Sequence, residues 1–264
     1  MKSQRSVPII ASAVLLLLVS LACGLASGAP SVPPTAAYVP PAQNPTPVPP
    51  TAAPPTELPT EPPTVAPPPT EASQQFFTEE FDNGAESWKP FVTHGELSQL
   101  DMTTVDGKLS FDLKDKQLWT YALYTPQNYT DVRVDVSVDN RGDNENNISL
   151  ICRYDQEKGW YEFSAANNGL YWIYFGKWDS NGTTASYSVI ADGGSNRIKQ
   201  GLAINTYAMT CKGNTITVFI NDKETRRVND TSHGLRDGQI GIGVSSFTRL
   251  PIEVEFDWVK ISEP

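Results

Sequence analysis

Trp160-Tyr-Glu-Phe-Ser164 and Tyr171-Trp-Ile-Tyr-Phe175 flank the dipeptide Asn168-Gly169. Successive side chains of a strand point to opposite faces, so each run divides by parity. Tyr161 and Phe163 oppose Trp160, Glu162 and Ser164; Tyr171, Ile173 and Phe175 oppose Trp172 and Tyr174. Asn-Gly readily takes the left-handed backbone of a tight turn between antiparallel strands. The segment therefore reads as a pair of strands with one core face and one face carrying aromatics and a carboxylate. The pattern recurs at Lys108–Leu113, Val132–Val138, Thr215–Ile220, Gln239–Val244 and Ile252–Ile261. Asp106-Gly107, Asn181-Gly182 and Asp237-Gly238 supply further turn signals, and long stretches of helical period are missing. Residues 76–264 are one domain's worth of chain, and the expectation is an all-β, antiparallel two-sheet sandwich.

The residues before this domain have a different composition. Lys2 and Arg5 precede an apolar run from Val7 to Ala22, which ends at Cys23 among the small residues Ser20, Ala22 and Gly24. The run is short of the roughly 20 residues a spanning helix needs. It reads as a signal peptide of lipoprotein type, residues 1–22, with Cys23 as the lipidated residue. Ser20 departs from the usual Leu at the third position before the cysteine. Cleavage further on, after Gly28, is the alternative and would release a soluble secreted protein. Residues 23–75 follow as a stalk; the tract from Ala29 to Ser73 holds 17 of the 22 prolines, interleaved with Thr and Ala. Such a composition buries too little apolar area to offset ordering entropy, so a disordered, extended linker is expected. The reading is of an exported protein held at the cell surface, touching the membrane through its lipid alone.

Three cysteines in an exported chain leave Cys152 and Cys211 as a disulfide once Cys23 takes the lipid. Both lie in strand-like runs, and a bridge between neighbouring strands is expected. From Phe76 onward the domain carries 18 basic and 27 acidic residues, which argues against nucleic acid or an anionic membrane surface as partner.

The order of the pieces resembles the concanavalin A-like lectin/glucanase superfamily, a jelly-roll of two stacked sheets. The resemblance runs through Glu80-Phe-Asp-Asn83, Trp88, Val105-Asp-Gly-Lys-Leu109, Cys152-Arg153 and Gly159-Trp-Tyr-Glu-Phe163. It continues through Gly169-Leu-Tyr171, Cys211-Lys-Gly-Asn214, Val218-Phe-Ile-Asn-Asp222, Asp237–Gly243 and Val254-Glu-Phe-Asp-Trp-Val259. This fold hosts lectins, hydrolases and inert modules, so chemistry must be argued from residues.

The glucanases of the superfamily resemble one another in a Glu-x-Asp-x-x-Glu strand, which nothing in the middle strands here matches. Glu253, Glu255 and Asp257 alternate on the last strand, which in the superfamily lies away from the cleft. No Gly-x-Ser-x-Gly elbow is present, and the domain's cysteines have a structural use. Asn147-Ile-Ser-Leu-Ile-Cys-Arg153 with Gly159-Trp-Tyr-Glu162 is similar to the bacterial 3-keto-glycoside hydrolase-like domains. That likeness implies a catalytic role for Arg153 and Glu162 on adjacent strands facing a groove. Ser164 replaces the usual Gln, and the two histidines, His94 and His233, stand in loop-like contexts.

Aromatic faces with nearby charges also suit sugar binding, in which C–H faces stack on rings. Arg153, Trp160, Glu162, Trp172 and Tyr174 form the expected ligand-binding set. The superfamily resemblance further implies a structural calcium held by oxygens at Glu80, Gly107 and Asp257. The sequence thus leads to a surface-tethered, non-catalytic carbohydrate-binding or adhesion module for an oligo- or polysaccharide. The alternatives are a 3-keto-glycoside hydrolase-like or other glycosidase and, third, a structural module of the envelope.

Overall fold

The computed structural model describes residues 74–264. The expected signal peptide, Cys23 and all but the last two residues of the stalk lie outside the described residues. Strands follow the alternating runs. β1 spans Phe77–Glu79, β2 Trp88–His94, β3 Leu100–Val105, β4 Lys108–Leu113 and β5 Trp119–Tyr129. β6 spans Val132–Asn140, β7 Asn146–Asp155, β8 Gly159–Ala166, β9 Leu170–Trp178 and β10 Ala185–Gly194. β11 spans Ile204–Lys212, β12 Thr215–Ile220, β13 Lys223–Asn229, β14 Gly238–Ser246 and β15 Ile252–Ser262.

They form two sheets. One has eight strands in the order β13-β12-β11-β6-β15-β4-β3, with β1 added along β15; the other has seven, in the order β10-β9-β8-β7-β14-β5-β2. The described pairings are antiparallel, giving a jelly-roll sandwich. Inner faces meet in one apolar core. Leu109, Phe111, Val134, Val136, Val254 and Phe256 come from the first sheet; Leu150, Tyr161, Phe163, Ile240 and Ile242 come from the second. A bulge between Phe256 and Trp258 shifts the parity of β15, so that Val259 and Ile261 remain in the core beyond it.

Cys152 and Cys211 are bonded, with Cα atoms 6.6 Å apart. They lie on β7 and β11, which belong to different sheets. The bridge therefore crosses the sandwich and corrects the expectation of a link between neighbouring strands. Such a crosslink typically contributes about 2–4 kcal/mol through the loop it closes.

The outer face of the seven-stranded sheet is the one that matters for chemistry. Glu162 sits opposite Ile151 of β7 and Tyr174 of β9, while Ser164 sits opposite Ser149 and Trp172. Trp160 lies opposite Gly176, where a Cβ would run into its ring. Glycine there is what lets the indole lie against the sheet.

Candidate functional site

A groove of about 670 Å³ opens on this face. Its floor and walls come from β5 (Trp119, Tyr121), β8 (Glu162, Ser164), β9 (Trp172, Tyr174) and β10 (Tyr187). Its mouth is formed by Asp143, Asn144 and Glu145 before β7 and by Phe247, Thr248 and Arg249 after β14. Thr248 donates its backbone N–H to Glu145 Oε2 at 3.0 Å, tying the two mouth loops together.

Glu162 is the acid of the floor. It is only 3% exposed. Ser149 Oγ donates to its Oε1 at 2.7 Å, Trp160 Nε1 donates to its Oε2 at 3.3 Å, and Tyr121 Oη lies 3.2 and 3.1 Å from the two oxygens. The hydroxyls continue outward, with Tyr121 Oη 3.0 Å from Tyr187 Oη and Tyr187 Oη 2.8 Å from Thr93 Oγ1. Burial disfavours the carboxylate and pushes the Glu162 pKa up from 4.5 to about 7; the bonds from Ser149, Trp160 and Tyr121 pull the other way. Tyr121 is raised well above the usual phenol value, first by burial and then by the Glu162 charge. A carboxyl balanced between protonation states near neutrality, lining a groove, is equipped to take or give a proton.

That balance affects stability. Folding favours the protonated acid, so Glu162 costs nothing below its unfolded value near 4.5. It weakens the fold as pH rises toward about 7 and has no further effect above. We expect the difference in unfolding free energy between Glu162→Gln and the unaltered protein to grow by about 2–3 kcal/mol from pH 4 to pH 8. Denaturant melts at a series of pH values measure it; a constant difference would mean that Glu162 ionises as freely as in water.

The five expected ligand contacts separate. Glu162, Trp172 and Tyr174 line the groove. Trp160 shares their face but is wholly buried, packed with Tyr121, Leu123, Ile151 and Tyr154 beneath Trp178 and Tyr187. It holds Glu162 from below and cannot stack on a sugar. Arg153 leaves the groove entirely. Regular alternation would put it on the face of Ser149 and Ile151, but its φ of 56° and the register shift between Cys152 and Asp155 turn it over. Its guanidinium instead lies in the interior, bonded to the carbonyls of Thr130, Gly213 and Leu235 and to Asp131. A groove role for Arg153 or Trp160, in binding or in catalysis, is thereby corrected.

Ser149, Tyr121, Tyr187 and Thr93 were not among the expected residues. Ser149 carried a signal, because it shares strand parity with Ile151 one step from the core residue Leu150. Tyr121 sits in a run whose pairing partners, on β2 and β14, are remote in sequence, whereas Tyr187 is on β10, next to β9, and reaches Tyr121 and Thr93 only through its side chain. Both histidines are outside the groove: His94 packs near Trp119, and His233 stacks on Phe175 beside Asp230.

Among the described residues no group of three or more His, Cys, Asp or Glu could hold a metal ion. Near Gly107 the nearest oxygens are the Asp82 carboxylate and the Glu80 carbonyl.

No curated protein sequence matches the chain. Several solved structures share its fold. One is the mixed-linkage-glucan family 16 glycoside hydrolase of Bacteroides ovatus in complex with its product, at 9% identity and TM-score 0.52, covering 70% of this chain and 99% of that one. Another is a Bacillus subtilis protein of unknown function with a galectin-like fold, at 10% identity and TM-score 0.52, covering 71% and 94%. A third is a Bacteroides ovatus family 16 endo-glucanase with a bound glycoside, at 10% identity and TM-score 0.50, covering 70% and 99%. These likenesses establish the fold. The model of the 3-keto-alpha-glucoside-1,2-lyase-like domain matches residues 77–262, and the chain belongs to that family. The expectation of a non-catalytic recognition module is corrected accordingly. Membership of that family favours the glycosidase alternative over a lectin.

Proposed function

We propose, on the premise of that family membership, that the domain is an enzyme that breaks a glycosidic bond by elimination, with Glu162 moving the proton. The observation that carries the reading is the buried Glu162 carboxyl on the groove floor, with its pKa raised to about 7. In a glucoside oxidised at C3, the ketone acidifies the hydrogen on C2. A base removes that proton, its electron pair forms the C1=C2 bond, and the C1–O bond breaks. The departing oxygen then takes up a proton, giving an alcohol and an unsaturated keto sugar. Such a step needs one proton-transfer group, whereas retaining hydrolysis needs a second carboxylate about 5–5.5 Å away. On the face of Glu162, the positions two residues to either side are Trp160 and Ser164. Tyr121 and Tyr187 supply hydroxyls in contact with the acid for relaying protons or holding the sugar.

The test is to follow a 3-keto α-glucoside by NMR in the presence of the protein. Accumulation of an unsaturated keto sugar alongside the free aglycone is expected. Release of the aglycone with intact 3-keto glucose as the first product would replace elimination by hydrolysis. Absence of any product, with saccharide bound, would return the domain to a recognition role.

Other readings supplement this one from sequence alone. Cys23 carries a lipid, residues 23–75 act as a spacer, and calcium is held by oxygens at Glu80, Gly107 and Asp257. The Cys152–Cys211 bond is compatible with export to an oxidising compartment. Among the described residues no helix is long and apolar enough to cross a membrane.

A further inference from the structure

β2 and β10 are the two edges of the seven-stranded sheet. With strands about 4.8 Å apart, they stand roughly 29 Å from each other along the sheet. Yet Thr93 of β2 and Tyr187 of β10 are hydrogen-bonded at 2.8 Å. Phe91 of β2 likewise packs 6.2 Å, between ring centres, from Trp178 of β9. The sheet is therefore curled until side chains from its opposite margins meet over its outer face. Between them the space is filled: Phe91 stacks on Tyr121 at 5.0 Å and packs at a tilt against Tyr154 at 5.3 Å, and Trp178 Nε1 donates to Tyr154 Oη at 3.1 Å.

This wall divides the face. On one side is the groove with Glu162, to which Trp119, Tyr121 and Tyr187 turn. On the other is a separate, shallower depression of about 660 Å³ lined by Lys89, Phe91, Leu123, Tyr154 and Lys158, among others. No residue lines both. Glu162 lies at the closed end, since its partner Tyr121 is itself part of the wall. The open end is the mouth at Asn144 and Arg249.

We infer that the Thr93–Tyr187 and Phe91–Trp178 contacts end the glycoside site, so that only a terminal sugar unit reaches Glu162 and its leaving group extends toward the mouth. The inference rests on the eliminative reading of the groove. A reacting unit in mid-chain carries a further sugar on its far side, and that sugar would have to occupy the space filled by Phe91, Tyr154 and Trp178. Phe91 and Trp178 are thus specificity-determining residues that do not themselves line the groove, Phe91 acting from behind the lining residue Tyr121.

The experiment compares two α-linked gluco-trisaccharides, one with the 3-keto group on the non-reducing terminal unit and one with it on the middle unit. Each is given to the unaltered protein and to Phe91→Ala/Trp178→Ala. The unaltered protein should prefer the terminal keto unit by about 100-fold or more in kcat/KM, the order that a steric misfit in a closed pocket produces. The double variant should narrow the gap at least tenfold while still melting cooperatively. If it does not fold, Trp178→Leu, which trims the wall and stays apolar, is read the same way. Equal use of both substrates by the unaltered protein would overturn the wall and leave the eliminative reading standing. Use of neither would overturn both. A gap that persists in a folded variant would show that something other than these rings ends the site.

Discussion

Glu162→Gln is expected to lower kcat/KM on a 3-keto glucoside by about 10²–10⁴-fold while leaving the fold intact, the range ordinarily lost when a positioned proton-transfer group is removed. The amide has the shape of the acid, so the contacts with Ser149, Trp160 and Tyr121 lose charge but not volume. It neither accepts nor releases a proton near neutrality, so the elimination loses its base. Removing a carboxyl that burial already disfavours should leave the thermal midpoint unchanged or higher at pH 8. Loss of rate without loss of stability separates a reacting group from a structural one. Glu162→Asp, which withdraws the carboxyl by one methylene, should fall between the two. Rates within a few-fold of the unaltered protein would assign the proton transfer to another group, with Tyr121 and Tyr187 next in position.

Arg153→Met should have the opposite signature. The residue is 1% exposed, and its side chain bonds to three backbone carbonyls at 3.0, 2.7 and 2.8 Å as well as to Asp131 at 3.1 Å. Those carbonyls belong to the β5–β6 connection, the β11–β12 turn and the segment before β14, which no common strand joins. Burial lowers the Arg153 pKa from its ordinary value, with Asp131 opposing that shift. Methionine fills much of the volume but leaves the buried acceptors without donors. A destabilisation of about 3–5 kcal/mol is expected, as for breaking a buried ionic network. For a domain of this size that is a fall of about 6–20 °C in Tm. Protein that remains folded at low temperature should keep turning over. A catalytic arginine would give the reverse, a stable and inactive variant.

Much of the fold was legible because the hydrophobic pattern and turn residues agreed. β4 and β12 begin and end where their alternating runs do, and Asp106-Gly107 and Asn168-Gly169 occupy turns. The division of β8 and β9 into core and outer faces also follows from parity. The two misplaced residues failed for separate physical reasons. Arg153 was lost to a single left-handed residue at a bulge, which no period-two reading anticipates. Parity places Trp160 on the correct face, but burial there depends on Trp178, Tyr154 and Tyr187, brought over it by the curl of the sheet. That curl is also what joins Thr93 to Tyr187, a contact between residues 94 apart in sequence. Local pattern identifies strands and faces; it carries almost nothing about how far a sheet bends.

The most direct test of the account is the pH dependence of kcat/KM on a terminal 3-keto α-glucoside, measured for the unaltered protein and for Glu162→Gln. A base with the raised Glu162 pKa predicts a rise in rate with an apparent pKa near 7, and that inflection should vanish in the variant. A profile already flat from pH 5 upward, or one whose inflection survives in Glu162→Gln, would contradict the assignment of Glu162 as the group that moves the proton.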